Sequence, residues 1–381
     1  MKTRYFDYAA TTPVRAEVLK EIIPYFEIEY GNPSSIYSLG RRNKKAIELA
    51  RTRVAKAINA NSSEVYFTSG GSESDNLAVK GIAFANKDKG NHIITSKIEH
   101  PAILNTCKWL EKNGFDVTYL NVDKFGQIDL NELQSSIKDS TILISIMFAN
   151  NEIGTIQPIK EIGKIAKSKE IIFHTDAVQA VGNVRIDVDD LNVDALSMSG
   201  HKIYAPKGVG ALYVRKGIKF ETIQHGGHQE RGKRAGTENV AGIVGIGKAI
   251  ELIYENFDEY NSKLLDLREY YLNKVGYTFK DICINGHRTD RLPGNANVSF
   301  KGIDSGQLLL SLDTYQICAS AGSACTSGSM EPSHVLIAIG LTEEYIRGAL
   351  RVTFGMNTTK DDVDFLINCL EKSICRIKNE K

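Results

Sequence analysis

Two runs that stay apolar at nearly every position restrict this chain most. They are Thr141-Ile142-Leu143-Ile144-Ser145-Ile146-Met147-Phe148-Ala149 and Val193-Asp194-Ala195-Leu196-Ser197-Met198. A strand with one wetted face alternates in polarity, whereas a strand apolar on both faces must be covered on both. Shorter strand candidates lie at 64–68, 92–95, 115–120, 170–173 and 208–214. Between them Ala46, Ile47, Ala50, Val54, Ala57 and Ile58 keep a helical period, as do Leu77, Ala78, Ile82 and Ala83, and 129–137 reads as another helix. Strand and helix in alternation predict an α/β domain built on a parallel sheet.

In such sheets ligands bind beyond the carboxyl ends of the strands. Polar clusters fall there: Asn150-Asn151-Glu152, His174-Thr175-Asp176-Ala177-Val178-Gln179 and Ser199-Gly200-His201-Lys202. Each alone is compatible with turn chemistry; three at the strand ends of one sheet point to a site. A lysine leaving a buried strand is partly desolvated, which favours the neutral, nucleophilic amine that a Schiff-base lysine needs. Asp176, at the end of an apolar strand, would carry a charge needing a partner. His100, followed by Pro101, sits at a strand-to-helix turn.

Ser69-Gly70-Gly71-Ser72 follows the strand at 64–68 and opens a helix. Glycines, helical N–H groups and a hydroxyl suit a phosphate. An ordinary helix start capped by Ser72 or Ser74 fits equally well. There is no G-x-G-x-x-G spacing and no Walker lysine, so neither a dinucleotide fold nor a P-loop is supported.

At 381 residues the chain is long enough for two domains. Its net charge of +1 offers no electrostatic case for nucleic acid or an anionic membrane. No stretch is apolar enough to span a bilayer, and the first residues show no apolar signal region. Six cysteines without C-x-x-C spacing argue against structural zinc and a disulfide framework, and for the reducing cytoplasm. A long helical pattern starts at Gly236 with Thr237 as its cap and keeps its period to Tyr271. We expect residues 16–256 to form a large domain, and 1–15 with 257–381 a smaller α/β one. Within the latter, Cys318 to Met330 is almost wholly Ala, Ser, Gly and Thr and reads as a flexible loop of about 318–332 carrying Cys318 and Cys325. An accessible cysteine there is reactive if its thiol ionises.

Together these blocks resemble the cysteine desulfurases of the NifS/IscS type, pyridoxal-phosphate enzymes of the class V aminotransferase family. The resemblance runs from Tyr5-Phe6-Asp7-Tyr8-Ala9-Ala10-Thr11-Thr12 to Leu350-Arg351-Val352-Thr353-Phe354-Gly355, through Gly31-Asn32-Pro33-Ser34-Ser35, Arg234-Ala235-Gly236-Thr237-Glu238-Asn239 and Gly322-Ser323-Ala324-Cys325. It implies a fold type I transferase of the aspartate aminotransferase kind, with a large mostly parallel sheet and a smaller C-terminal α/β domain. By matching position, Lys202 would hold pyridoxal 5'-phosphate covalently and later remove the substrate α-proton. Asp176 would pair with the ring nitrogen, His100 would stack on the ring, and Asn151 and Gln179 would hydrogen-bond the cofactor. Gly71, Ser72, Ser199 and His201 would take the phosphate, with Thr237 reaching it from the second subunit of a homodimer. Arg351 and Asn151 would bind the substrate, Arg351 as a two-pronged clamp for its carboxylate. Cys325 would take the sulfur of L-cysteine as a persulfide, leaving alanine, and pass it to an acceptor protein of iron–sulfur cluster assembly or tRNA thiolation. Cys318 is the competing nucleophile, but its flanks do not match the motif.

The chain departs from the pattern at Tyr37, where many relatives carry histidine, and at Gly71-Ser72, where serine keeps the hydroxyl. Its short C-terminal end, which puts docking of an iron–sulfur scaffold in question, and the 234–239 block look closer to the NifS branch. A selenocysteine lyase and another class V aminotransferase are the alternative enzymes, and a non-catalytic sulfur-relay subunit is the alternative outside catalysis. Retention of Lys202, Asp176, His100 and Arg351 together argues against the last.

Overall fold

The structure is a computed structural model that describes residues 3–321 and 332–379. Its strands are β1 (Arg4–Tyr5), β2 (Val65–Thr68), β3 (His92–Ser96), β4 (Asp116–Leu120), β5 (Thr141–Ser145), β6 (Ile172–Asp176), β7 (Ala195–Ser199) and β8 (Gly210–Val214), then β9 (Ile282–Ile284), β10 (Asn295–Phe300), β11 (Ile317–Cys318) and β12 (Ala349–Thr353). A seven-stranded sheet runs in the order β2-β8-β7-β6-β5-β3-β4. Only β8 is reversed; it is antiparallel to both β2 and β7, and the other neighbours are parallel. Every residue of β3, β5, β7 and β8 is buried, as expected of strands apolar on both faces. The chain goes from β3 outward to β4 and then returns past β3 to β5, so the order reverses between β3 and β5. That reversal opens a crevice at the carboxyl ends.

Helices cover both faces. One core joins the sheet to Ser38–Ala57 and Val240–Glu255. These two helices meet closely because a Cβ on Gly247 would stand 2.6 Å from the Ala50 backbone. The opposite core lies under Gly71–Ala85 and Pro101–Glu111. A third core gathers Phe6, Tyr271, Val298, Leu350 and Val352 around the antiparallel sheet β12-β10-β9. A fourth unites Ile98, Met147 and Ile153 with Val335, Leu336 and Ile339, and so ties the carboxyl ends of β3 and β5 to the C-terminal part of the chain. Among the described residues no helix is long and apolar enough to cross a membrane.

Three expectations are corrected. The helical pattern from Gly236 to Tyr271 is two helices, Val240–Glu255 and Phe257–Thr278. Asn256 leaves helical geometry (φ −120°, ψ 28°), and its side chain donates to the Leu252 carbonyl at 3.4 Å, serving one of the terminal carbonyls left bare there. The cap of the first helix is Asn239, whose Oδ1 accepts from the Gly242 N–H at 3.1 Å, and not Thr237. Cys318 is likewise not in a loop. It belongs to β11, which pairs in parallel with β1.

Candidate active site

A cavity of about 450 Å³ opens at the strand-order reversal. The large sheet supplies its floor. Asp176 is the last residue of β6, and its Oδ1 accepts from the Val178 N–H at 2.9 Å. Burial pushes its carboxyl up, against the pull of nearby His100 and Lys202. Lys202 ends the 3-10 turn that follows β7. Its Nζ donates to the carbonyls of Ala9 at 2.5 Å and Ala10 at 2.6 Å. His100 caps the helix Pro101–Glu111, Nδ1 accepting from the Ala102 N–H at 3.1 Å. Burial pulls His100 below its ordinary range. An accepting Nδ1 leaves the proton of the neutral ring on Nε2. Gln179 Nε2 donates to the Ala9 carbonyl at 3.0 Å.

One end of the cavity suits an anion. The helix Gly71–Ala85 begins at Gly70 with no side-chain cap, so its first-turn N–H groups lack a partner inside the helix. Ser74 does not cap it. Its hydroxyl turns inward, 2.8 Å from Thr68 Oγ1 and 3.1 Å from the Ala211 carbonyl. A Cβ on Gly71 would stand 2.6 Å from Val178 Cγ2, so a larger residue would have to displace the Val178 side chain. Ser72, Ser199 and His201 border the same space. His201 Nδ1 lies 3.1 Å from Thr11 Oγ1, and burial, helped by Lys202 and Lys207, pulls its imidazole down to about 4.

Beneath Asp176 lies a buried acid cluster that the sequence reading did not single out. Asp75 is pushed well up by burial and by Asp176; a Ser197 hydroxyl bond opposes this, and Oδ1 has no hydrogen-bond partner among the described residues. Glu99 is pushed up to about 8, chiefly by burial. Its Oε1 accepts from Ser96 Oγ at 2.6 Å and the Met147 N–H at 2.9 Å, and its Oε2 has no hydrogen-bond partner among the described residues. His174, between the hydroxyls of Ser145 (2.9 Å) and Ser197 (3.0 Å), is pulled down to about 3 by burial. Several carboxyls buried together cannot all ionise.

The opposite wall comes from the chain ends. Arg351, in β12, is 1% exposed. Its Nη2 donates to Asp7 Oδ1 at 2.8 Å and its Nη1 to the Asn151 carbonyl at 3.0 Å. Ser333 Oγ donates to Glu152 Oε2 at 2.6 Å, and His334 Nε2 lies 3.0 Å from the Glu99 carbonyl. Glu152, Ser333 and His334 also line the cavity.

Gly71, Ser72, His100, Asn151, Asp176, Gln179, Ser199, His201, Lys202 and Arg351 thus border one cavity. Thr237 does not. It lines a separate depression with Asn32, Pro33 and Asn239. Cys325 lies outside the described residues. Asp7 and Glu152 fall within blocks the sequence singled out but carry no role there, and Asp75, Glu99, Ser333 and His334 were not singled out. The acid before His100 and the acid after Asn151 were visible signals, each at the end of an apolar run. The donor set fits a flat ring carrying a protonated nitrogen over Asp176 and an anionic group at the Gly71-Ser72 turn.

Residues 4–366 match the family model described as Aminotransferase class-V. The chain is 56% identical over 375 residues to a protein named cysteine desulfurase IscS from Clostridium botulinum (strain Hall), covering 98% of this chain and 94% of that one. It is 56% identical over 381 residues to a protein of the same name from Methanosarcina thermophila, covering 99% and 93%. Among solved structures it resembles a NifS-like protein, with TM-score 0.93 and 37% identity over 98% of this chain and 100% of the other. It also resembles one titled SspA in complex with cysteine, with TM-score 0.83 and 40% identity over 93% and 99%.

Proposed function

The chain belongs to the class V aminotransferase family and is a cysteine desulfurase, and from that premise we propose how its own residues divide the work. The observation that carries the reading is the convergence of Lys202, His100, Asp176, Arg351 and the Gly71-Ser72 turn on one cavity. Pyridoxal 5'-phosphate fits the donor set. Gly71, Ser72, Ser199 and His201 would hold its phosphate, Asp176 would pair with its ring nitrogen, Gln179 and Asn151 would hydrogen-bond its substituents, His100 would stack on it, and Lys202 would be its covalent attachment. When bound, the cofactor supplies an electron sink for charge at the substrate Cα.

Lys202 takes the α-proton on Nζ, and the carbonyls of Ala9 and Ala10 are placed to accept from the ammonium so formed. Arg351 holds the α-carboxylate, beside the Asn151 carbonyl that fixes its fork. Over the whole reaction the C–S bond of L-cysteine breaks, its sulfur bonds to Cys325 Sγ, and L-alanine and a Cys325 persulfide remain. Burial pushes the Cys318 thiol up, which lowers its share of nucleophilic thiolate. The persulfide passes to an iron–sulfur scaffold or a tRNA-thiolation enzyme. The working unit is a homodimer in which Thr237, exposed in this chain, serves the partner's phosphate site. We divide the chain into domains of 16–256 and of 1–15 with 257–381, a reading supported by the separate cores on either side of Asn256. The cytoplasm suits such thiol chemistry.

The test is alanine and sulfide release from L-cysteine. Cys325→Ala should lose sulfide release by at least about a hundredfold while keeping the cofactor absorbance, and Lys202→Ala should lose turnover altogether. A Cys325→Ala variant that turns cysteine over like the wild type would return the protein to the lyase or aminotransferase alternatives.

A further inference from the structure

Arg351 is not waiting for a substrate carboxylate with its charge uncompensated. Asp7 Oδ1 already sits 2.8 Å from Nη2, and the pair is largely buried, with side-chain exposures of 1% and 17%. Asp7 is fixed from several sides. The Tyr5 hydroxyl and the Ala10 N–H donate to its carbonyl at 3.0 and 2.9 Å. Its neighbours are tied to β12, Thr353 N–H donating to the Phe6 carbonyl at 2.7 Å and Ala9 N–H to Thr353 Oγ1 at 3.0 Å. The same short segment holds Lys202 and Gln179 through Ala9 and Ala10, and His201 through Thr11. The other acid of the wall, Glu152, is engaged by Ser333.

We propose that Asp7 is the resident counter-ion of Arg351 and sets how tightly this site holds an α-carboxylate. The proposal rests on Arg351 being the carboxylate clamp. An arriving carboxylate shares one guanidinium with Asp7 and is repelled by it, so part of the Arg351 attraction is offset. The consequence is a weak hold on every amino acid, including the alanine that must leave. A residue that merely oriented Arg351 would act in the opposite direction, because its loss would weaken binding.

The test titrates the cofactor absorbance of the holoenzyme with L-alanine and with L-alaninamide, which lacks the carboxylate charge. Asp7→Asn keeps an acceptor and removes the charge. It should bind L-alanine at least about tenfold more tightly, above the roughly fivefold that one charge at about 4 Å is worth in water, and leave L-alaninamide unchanged. Asp7→Glu should stay near the wild type. Weaker or unchanged alanine binding in Asp7→Asn, or an equal change for the amide, overturns the proposal. Arg351→Gln separates the two failures. If alanine keeps its advantage over the amide in that variant, Arg351 is not the clamp and the underlying reading fails first. Should Asp7→Asn not fold by thermal melting, Asp7→Ser carries the same contrast.

Discussion

The floor and the wall of the cavity face one problem, a charge taken out of water, and meet it in opposite ways. On the floor Asp75 and Glu99 lie buried with no lysine or arginine ion pair among the described residues, His174 standing 3.9 Å from Asp75, and burial drives both toward the neutral acid. On the wall the buried guanidinium of Arg351 is given a carboxylate, Asp7. A carboxyl can escape the cost of burial by taking up a proton; an arginine needs a partner. The floor should therefore respond to pH, whereas the wall should respond to the removal of a partner.

The largest effect belongs to a second ion pair of the wall's kind. Arg51 and Glu230 are bidentate at 2.6 and 2.8 Å with side-chain exposures of 4% and 3%. Glu230 also accepts from the Phe67 N–H at 3.0 Å. The pair holds Glu230 and Arg231 at φ of 43° and 57°, a left-handed conformation that costs side-chain-bearing residues energy. Glu230→Ala leaves the buried guanidinium with the half-exposed Glu48, 3.2 Å from Nε, and the Val65 carbonyl, and should cost about 3 kcal/mol, the low end for a broken buried pair, read by denaturant unfolding. Arg51→Met with Glu230→Leu should recover most of that loss. If the double variant is no better than the single one, the partner rule drawn from the wall is wrong.

These two regions also differ in how far the sequence reveals them. Asp176, Lys202, Ser199 and His201 were legible because each closes a run whose apolar character demands a buried strand. Position in the sheet then follows from pattern. Arg351 lies inside a strand, where nothing local marks it, and only the family resemblance singled it out. Asp7 meets it across 344 positions of chain, and no periodicity encodes such a contact. The reversed direction of β8 was equally invisible, since an apolar run has no polarity of direction. The break at Asn256 escaped because the apolar period continues in phase through it.

The next effect tests the floor. Glu99 has a folded pKa of about 8, above its unfolded value of about 4.3. Between those values the folded state binds the extra proton, so stability falls as pH rises from about 4.3 to about 8. Glu99→Gln keeps the size and removes the titration. Melting curves should show the variant gaining on the wild type across that window, by roughly a few degrees at pH 8 relative to pH 5. A difference that stays flat with pH would show that Glu99 ionises freely in the fold, and the contrast between floor and wall would collapse.

The smallest effect lies at the seam between the two. Ser333 Oγ donates to Glu152 Oε2 and also accepts from the Leu336 N–H at 3.2 Å, capping the helix His334–Ala338. Burial pushes Glu152 up, and the Ser333 bond pulls it back toward ionisation, with His334 and Arg351 acting the same way. Ser333→Ala removes both contacts. Loss of the cap costs about 1 kcal/mol at any pH. Loss of the bond to Glu152 is felt only where that group is ionised, because the hydroxyl favours the carboxylate over the acid. The gap between wild type and Ser333→Ala should therefore widen from pH 5 to pH 8.5. A constant gap would mean that Glu152 keeps one protonation state across that range and that the Ser333 bond does not couple the wall to pH.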